Sequence, residues 1–409
     1  MNRWGYNQFS ERKKKEIAER KHKEKIKSMK EAIYDDFSVV SRQLMSTKWR
    51  QIDESIVEHE QAQDVIRCKI CGYKAERHSY ATVTENCIFG GGRLERYICP
   101  CCGVTFGPTK FLNQGEHDIS EDYRVHYLGY QEGDSTYKEE RAFYMLNPSK
   151  EKVYLNYGCG NWSKSLQNLR DKGYQVYGYE PYAADTFNPY MITSAEELKK
   201  IRFDGIYSND VLEHFLDPVR DLGFMKSLLK DSTCKMVHAT ACYTYKYAHT
   251  RFHTHFFTGN SVAIMARRAG LEVVECCNDL EQNDFYAYAY QACEEGTEYL
   301  DAMFTGGNAE KLNDEIVIRT GGYMYGPYIS LPVGRYKVFF TACSLGSCLC
   351  RITANKGLKI LHEEVVERLD TISFEVQEEE QDVEFFVQNI GSEKVSVMSV
   401  VIRSEEGGK

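Results

Sequence analysis

The sequence has no long apolar run and no excess of positive charge. No stretch of its 409 residues reaches the roughly 18 consecutive apolar residues that a transmembrane helix needs. The opening residues, MNRWGYNQFSERKKKE, lack the apolar segment of a secretory signal. The net charge of −9 disfavours a general nucleic-acid binder, because phosphate contacts need surplus lysine and arginine. We therefore expect a cytoplasmic protein, with a peripheral position at the inner membrane face as the alternative.

Cysteine, in contrast, is abundant, with 15 residues in the chain. Scattered thiols indicate a reducing compartment, where CxxC pairs favour a metal over a disulfide. Two such pairs are present, Cys68 with Cys71 and Cys99 with Cys102. Together they can close a tetrahedral site that leaves no open coordination position, so the sequence predicts a structural Zn²⁺. Four ordinary buried thiols are the alternative, and Cys101 is an alternative to Cys102 as the fourth ligand.

Composition divides the chain into segments of different character. Residues 1–30 carry eleven Lys and Arg against four Asp and Glu, a net of +7. We interpret this region as a solvated helix or a disordered arm, with docking to a membrane surface or an acidic partner as the alternative. The predicted segments are a basic helical arm (1–64), a zinc-binding module (65–111), a lid or helical segment (112–146), a doubly wound α/β domain (147–295) and a β-sandwich (308–404).

Two patterns support the last two segments. Strand-like and helix-like stretches alternate from about Tyr123 to Glu294, which is typical of an α/β sheet. From about Asn308, short alternating strands are separated by glycine and proline turns. Regular short strands of this kind indicate a β-sandwich.

A glycine turn follows the first predicted strand of the α/β domain. The strand Val153–Tyr157 runs into Gly158-Cys-Gly160 and then a helix, which is the context that a nucleotide-binding glycine turn requires. The next strand ends in Glu180, 22 residues after Gly158, where a carboxylate can accept the hydroxyls of a ribose. Ser163 stands where the phosphate-binding form has a third glycine, so an adenosyl ligand is favoured over a dinucleotide.

Three stretches of this domain resemble the class I S-adenosylmethionine-dependent methyltransferases. They are LNYGCGNW (155–162) with the pair Glu180-Pro181, FDGIYSNDVLEHFLDP (203–218), and HTHFFT (253–258) followed by RAGLEVV (268–274). The resemblance implies a Rossmann-like, doubly wound fold with S-adenosylmethionine as cofactor. The chain departs from the family pattern at Asn156, where an acidic residue is common, and at Trp162, where glycine is common.

The resemblance also implies roles for matching residues. The glycine turn would line the methionine part of the cofactor, the carboxylate after the second strand would hold the ribose, and Thr193-Ser194 would contact adenine. The implied cofactor-binding residues are Asn156, Gly158, Cys159, Gly160, Glu180, Pro181, Ser194, Asn209 and Asp210.

Methylation of a hydroxyl requires alignment of the nucleophile and removal of its proton. Alignment can supply on the order of 7 to 11 kcal/mol, and a general base adds roughly 10² to 10⁴ in rate. His214 follows the fourth predicted strand, and His253 and His255 follow the fifth, on the ligand side of such a sheet. We predict that one of these three is the base, with packing or loop ordering as the alternative for each. A metal site of His249, His253 and His255 is a further alternative.

The wider arrangement resembles a narrower group, the sugar methyltransferases of bacterial surface-glycan and deoxysugar pathways, which can carry a four-cysteine zinc module ahead of the catalytic domain. Residues 122–136 lie between the two modules and are expected to form a lid. Thr136 and Glu139 look like a capping box that opens the next helix. The stretch 325–336 is similar to β-sandwich domains of glycan-related enzymes.

We therefore predict a methyltransferase that O-methylates a sugar in surface-polysaccharide (capsule or O-antigen) or nucleotide-sugar biosynthesis. The resemblance implies a saccharide or nucleotide-sugar acceptor, and a glycan or protein contact through the sandwich. The alternatives are a protein or RNA methyltransferase with the zinc module as recognition element, and a non-catalytic module that has kept the fold. A nicotinamide-dependent enzyme is the weakest alternative, because the phosphate loop is incomplete.

Overall fold

The computed structural model describes residues 3–60, 65–90, 92–127, 130, 133–160, 163–181, 188–293, 296–312, 315–344 and 346–405. Trp162, one of the two departures from the family pattern, lies outside these ranges. None of the described helices combines the length and apolar character that crossing a bilayer requires.

The basic arm forms one long helix, α1, which occupies Arg3–Glu60. Its sequence is rich in lysine, glutamate and arginine, which are strong helix formers. Met45 and Trp49 are buried, where they pack in one cluster with Phe111 and Phe252. The helix is therefore attached to the body of the protein near its C-terminal end.

The cysteine-rich segment folds into short strands. They are β1 (Val65–Arg67), β2 (Lys74–Glu76), β3 (Ala81–Asn86), β4 (Arg93–Ile98) and β5 (Thr105–Phe106). β1 pairs with β2, while β3, β4 and β5 share a sheet with β11 (His255–Phe256), in the order β11-β5-β4-β3. Because β11 comes from far along the chain, this segment and the central domain share one sheet. The helices α2 (Thr109–Leu112), α3 (Glu116–His126) and α4 (Thr136–Tyr144) follow β5.

The central domain is built on a mixed sheet of seven strands. The strands are β6 (Val153–Tyr157), β7 (Gln175–Tyr179), β8 (Met191–Ile192), β9 (Gly205–Asn209), β10 (Lys235–Ala239), β12 (Leu271–Asp279) and β13 (Phe285–Ala292). Their order is β12-β13-β10-β9-β6-β7-β8. Neighbours from β8 to β10 pair in parallel, and β13 runs antiparallel to β10 and β12.

Helices cover both faces of this sheet. On one face lie α4 and α5 (Ser165–Asp171). On the other lie α6 (Ala195–Leu198), α7 (Pro218–Ser227) and α8 (Ser261–Arg268). The short helix α9 (Leu280–Asn283) has no buried residue. Adjacent residues of one strand enter different cores, since Leu155 belongs to one cluster and Tyr154 to the other. The predicted doubly wound fold is therefore confirmed. From β6 the chain adds β7 and β8 on one side and then β9 and β10 on the other. This switch in strand order, between β6 and β9, is where ligands bind in folds of this kind.

The C-terminal segment consists of two antiparallel sheets. Its strands are β14 (Thr297–Glu298), β15 (Phe304–Gly306), β16 (Ala309–Lys311), β17 (Ile316–Ile318), β18 (Tyr323–Tyr325), β19 (Pro327–Leu331), β20 (Gly334–Ser344), β21 (Cys348–Ala354), β22 (Lys359–Val366), β23 (Thr371–Val376), β24 (Glu380–Asn389) and β25 (Val395–Ser404).

One sheet has the order β16-β17-β25-β20-β23 with β14 on β25, and the other has the order β15-β18-β24-β21-β22 with β19 on β24. Val338 and Ile372 of the first sheet share a core with Ile352 and Val383 of the second. The two sheets thus pack face to face, as the predicted sandwich requires.

Candidate active site and metal centre

The four predicted cysteine ligands are buried together. The Sγ atoms of Cys68 and Cys102 are 3.7 Å apart, and those of Cys71 and Cys99 are 3.6 Å apart. All four sulfur atoms lie within 4.8 Å of one another. A tetrahedral zinc with Zn–S bonds of about 2.3 Å has S···S edges of about 3.8 Å. The cluster therefore has the donor set and the spacing of a four-cysteine metal site.

Two matching turns hold these cysteines. The amide of Gly72 donates to the carbonyl oxygen of Cys68, and that of Gly103 donates to Cys99, each at 2.9 Å. Both glycines are in the left-handed region, with φ of +87° and +79°, which costs other residues more than glycine. Cys101 is outside the group of four sulfur atoms. In the described chain, the fourth sulfur is thus that of Cys102.

The glycine turn and the predicted ribose carboxylate lie beside each other. The amide of Gly160 donates to Oε2 of Glu180 at 3.1 Å. At Gly158, φ is +70° and an added Cβ would lie 2.7 Å from Cγ2 of Val211. Cys159 is buried, and its thiol lies 3.4 Å from Sδ of Met191.

Asn156 is fully buried and has a partner that sequence reasoning missed. Its Nδ2 donates to Oε2 of Glu139 at 2.6 Å, and that carboxylate also accepts from the hydroxyls of Ser135 and Ser165. The predicted capping box is wrong, because the N-cap residue of α4 is Ser135 and Glu139 turns inward. The amide of Thr136 donates instead to Oδ1 of Asp134 at 2.9 Å.

This contact bears on the departure at position 156. Burial raises the pKa of Glu139 above its ordinary range. The family commonly has a carboxylate on the first strand, whereas here one reaches the same strand from helix α4. The available signal was a polar Asn156 inside an apolar strand, since a buried amide needs a partner.

The remaining predicted cofactor residues lie at the carboxyl ends of β7, β8 and β9. Pro181 is exposed after Glu180. Ser194 caps α6, and its hydroxyl accepts from the amide of Glu196 at 3.2 Å. Nδ2 of Asn209 donates to Oδ2 of Asp210 at 2.8 Å. Asp210 has a φ of +53°, and such strained residues concentrate at functional sites.

Two of the three candidate bases are neighbours. The ring centroids of His214 and His253 are 5.0 Å apart, and both residues are partly exposed. Nδ1 of His214 lies 2.9 Å from the hydroxyl of Tyr123 and 3.2 Å from the carbonyl oxygen of Phe252. Burial lowers the pKa of His214 to about 4. Its imidazole is therefore neutral near pH 7 and able to accept a proton.

His253 does not share a metal site with the other two histidines of the predicted three-histidine site. Its Nδ1 is 3.0 Å from the carbonyl oxygen of Tyr247 and 3.5 Å from Sγ of Cys242, and burial lowers its pKa. Among the described residues, His253 shares a cluster of potential metal ligands with Glu213 and Cys242. His249 and His255 do not belong to that cluster, so the three-histidine alternative is wrong.

His255 lies in the interior. It has no exposed surface, it is part of β11, and its Nδ1 is 3.0 Å from the hydroxyl of Thr254. Burial lowers its pKa to about 4. Its position differs from that of His214 and His253, because a substrate has no direct access to a side chain with no exposed surface.

Arg96 joins the cysteine module to the loop that carries His253. This fully buried side chain of β4 donates from Nη1 to the carbonyl oxygen of Ala248 at 2.7 Å, and from Nη2 to those of Thr250 at 2.7 Å and His253 at 3.1 Å. Sequence reasoning missed Arg96, because its partners are 150 or more positions away.

A buried ion pair joins the same loop to helix α3. Nε and Nη2 of Arg251 donate to the two carboxylate oxygens of Asp122 at 2.8 and 3.1 Å, and both side chains are almost completely buried. Tyr123, the next residue of the helix, stacks on Phe252 with a centroid distance of 4.4 Å. The predicted lid segment therefore contacts the histidine loop at its first residues.

Residues 130–276 match the family model of a methyltransferase domain. The matched range includes the glycine turn, Glu180, His214 and His253. Together with the strand order, this match confirms the predicted class I methyltransferase fold. No curated protein matches the chain.

Several solved structures are similar to parts of the chain. The 1,6-didemethyltoxoflavin-N1-methyltransferase of Burkholderia thailandensis is 12% identical over 49% of this chain and 96% of that chain, with a TM-score of 0.36. A chain in the complex of the Haloferax volcanii Trm112 methyltransferase activator and a putative methyltransferase is 12% identical over 39% of this chain and 90% of that chain, with a TM-score of 0.31. The C-terminal CBM6 of LamC, a laminarinase of Zobellia galactanivorans, is 15% identical over 25% of this chain and 91% of that chain, with a TM-score of 0.20.

Proposed function

We propose that this protein is an S-adenosylmethionine-dependent methyltransferase, with its cofactor at the carboxyl ends of β6, β7 and β9. The observation that carries the proposal is the hydrogen bond from the Gly160 amide to Glu180. It joins a glycine turn to a carboxylate at the switch point of the sheet, within the range that matches the methyltransferase family.

The residues at this point fit an adenosyl ligand. At Gly158 a Cβ would clash with Val211 and φ is +70°, so this turn requires glycine. Glu180 would hold the ribose, and the two turn glycines would line the methionine part. Further contacts are assigned to Pro181, Ser194, Asn209, Asp210 and the backbone of Cys159. Asn156 has no exposed surface and would act through its contact with Glu139. When bound, S-adenosylmethionine supplies a methyl group on a positively charged sulfur atom.

We assign the general base to His214, with His253 as the second candidate. Contacts at Nδ1 of His214 with Tyr123 and Phe252 orient the ring and leave Nε2 as the proton acceptor. The imidazole would take a proton from the acceptor hydroxyl as its oxygen is methylated. His255 is the least favoured candidate, because its side chain has no exposed surface.

A saccharide or nucleotide sugar is the proposed acceptor. An aromatic surface on the sandwich supports this class. The rings of Phe304 and Tyr325 are 5.6 Å apart, and Tyr328 lies 6.3 and 6.4 Å from them. Phe304 and Tyr328 are exposed, and the Tyr328 hydroxyl donates to Glu384 at 2.9 Å. Exposed aromatic rings beside polar groups suit the apolar faces and hydroxyls of a sugar.

We further propose that the four-cysteine cluster binds Zn²⁺. Thiolate sulfur is a preferred zinc ligand, and four thiolates leave no position open for a substrate or water. The metal would therefore stabilise the sheet that contains β5 and β11 and would take no part in methyl transfer.

Calorimetric titration of S-adenosylmethionine and of NAD into the purified protein tests the cofactor. We expect S-adenosylmethionine alone to bind, and Glu180→Ala to weaken binding by tenfold or more, which is about 1.4 kcal/mol. Glu196→Ala, on the exposed side of α6, is the matched control and should bind normally. Absence of S-adenosylmethionine binding would favour the non-catalytic alternative, and binding of NAD would favour a nicotinamide enzyme.

Transfer of a labelled methyl group tests the acceptor and the base. Purified protein is incubated with labelled S-adenosylmethionine and with separate capsule or O-antigen, nucleotide-sugar, RNA and protein fractions. We expect label in a saccharide fraction, and a loss of roughly 10² to 10⁴ in rate for His214→Gln with cofactor affinity retained. Label in RNA or protein alone would contradict the sugar assignment.

A further inference from the structure

Helix α1 carries a stripe of apolar side chains that the rest of the described chain leaves exposed. The stripe, each member of which is 42% to 55% exposed, consists of Ile26, Met29, Ile33, Phe37, Val40 and Leu44. The five steps between its members cover 18 residues, a mean of 3.6, so the side chains lie along one face of a straight helix. At 1.5 Å per residue the stripe is about 27 Å long.

This stripe is not the face that packs against the body of the protein. The buried residues of the helix include Ser41, Met45 and Trp49. At 3.6 residues per turn, their mean direction is roughly 120° away from that of the stripe. The body therefore occupies a different side of α1, and the stripe is available to another molecule.

An uncovered stripe on a long helix needs a partner. Helices in proteins draw most of their stability from packing of an apolar face, and exposed apolar patches mark interaction sites. We propose that the stripe pairs with the same stripe of a second copy of this chain, in an antiparallel arrangement. A twofold axis at Asp35 would place Ile26 beside the partner's Leu44 and Ile33 beside the partner's Phe37, because each pair of numbers sums to 70.

The charge along the helix favours this occupant. Residues 1–30 have eleven Lys and Arg and four Asp and Glu, a net charge of +7. Residues 31–60 have three Lys and Arg and seven Asp and Glu, a net charge of −4. Antiparallel pairing brings each basic half beside an acidic half, while parallel pairing would bring the two basic halves together. Asp36 flanks the stripe, about 60° away around the helix, which disfavours an anionic membrane surface as its occupant.

Sedimentation velocity of the full chain tests the pairing. We expect the wild-type protein to be a dimer and the double variant Ile33→Asp with Phe37→Asp to be a monomer, because four carboxylates would meet at the twofold axis. The matched control is Val39→Asp. Val39 is 54% exposed and lies on the same helix but off the stripe, so this variant should remain a dimer. Circular dichroism should be the same for all three proteins.

Chemical coupling tests the direction. A dimer mixed from unlabelled and ¹⁵N-labelled chains is treated with a carbodiimide, and links between labelled and unlabelled peptides are identified by mass spectrometry. We expect links from residues 10–22 of one chain to residues 48–60 of the other, because facing residues sum to 70. Links that join only identical segments would overturn the antiparallel arrangement. A monomeric wild-type protein, or one whose stripe binds phosphatidylglycerol vesicles as a monomer, would overturn the proposal as a whole.

Discussion

Nη2 of Arg96 donates a hydrogen bond to the carbonyl oxygen of His253, 3.1 Å away. Arg96 belongs to β4, next to the four-cysteine cluster, and His253 lies in the loop that ends at β11. The same guanidinium contacts two more carbonyl oxygens of that loop. The four-cysteine module has no open metal position for a substrate. Through Arg96 it can still influence the candidate active site, because this side chain holds the loop that carries His253.

Removal of this guanidinium should loosen the loop. Arg96→Met would leave three carbonyl oxygens without their donor, and a buried polar group that loses its partner costs about 1 to 3 kcal/mol. We expect faster amide hydrogen exchange in residues 248–254 and unchanged exchange in β6 and β7. Arg93→Met is the control, since Arg93 is exposed on the same strand. Equal exchange in both variants would contradict the holding role.

Metal content should separate the two candidates for the fourth ligand. The sulfur of Cys102 belongs to the cluster of four and that of Cys101 does not. Elemental analysis of the purified protein should find one zinc per chain in the wild type and in Cys101→Ser, and much less in Cys102→Ser, because three thiolates hold zinc less tightly than four. Retention of zinc by Cys102→Ser together with its loss from Cys101→Ser would reverse the assignment.

The ion pair of Asp122 and Arg251 should be costly to break from one side. Asp122→Ala leaves a buried guanidinium without its counter-charge, and such losses amount to about 3 to 5 kcal/mol. Urea unfolding should show a destabilisation of this size, while Asp118→Ala, on an exposed position of the same helix, should change little. The double variant Asp122→Leu with Arg251→Met should recover part of the loss. If Asp122→Ala alone changed the stability by almost nothing, the Arg251 guanidinium would have to be solvated by water and not buried without a counter-charge.

Stability should depend on pH through Glu139. Its pKa is raised by burial, so the folded state holds this proton more tightly than the unfolded state, whose glutamate pKa is about 4.3. The resulting stability is present below that value and is lost as the pH rises through the folded pKa. Glu139→Gln cannot ionise, so its stability relative to wild type should increase with pH and then level off.

Urea midpoints between about pH 4 and 8 would measure this difference. Glu139→Ala is a useful contrast, because it leaves the amide of Asn156 without its acceptor and should be less stable at every pH. A difference between the glutamine variant and the wild type that does not change with pH would mean that Glu139 titrates normally.

Local sequence determined the parts of this protein that need only neighbouring residues. In each CxxC turn, the two cysteine ligands lie within four consecutive residues. β6, the glycine turn and α5 likewise follow one another within 20 residues. Gly158 and Glu180 follow the two parallel strands of one strand–helix–strand unit, whose geometry places the carboxyl ends of both strands side by side. The alternation of Leu155 and Tyr154 between two cores likewise follows from the two-residue period of a strand.

Only the tertiary structure decided which distant groups meet. Glu139 reaches Asn156 across 17 positions, and Arg96 reaches His253 across 157, and neither contact leaves a period or spacing in the sequence. His214, His253 and His255 all follow sheet strands, but burial separates the third from the first two. Spacing along a chain reports contacts within one element or one turn, whereas long-range contacts depend on how whole elements pack, which is a property of the complete fold.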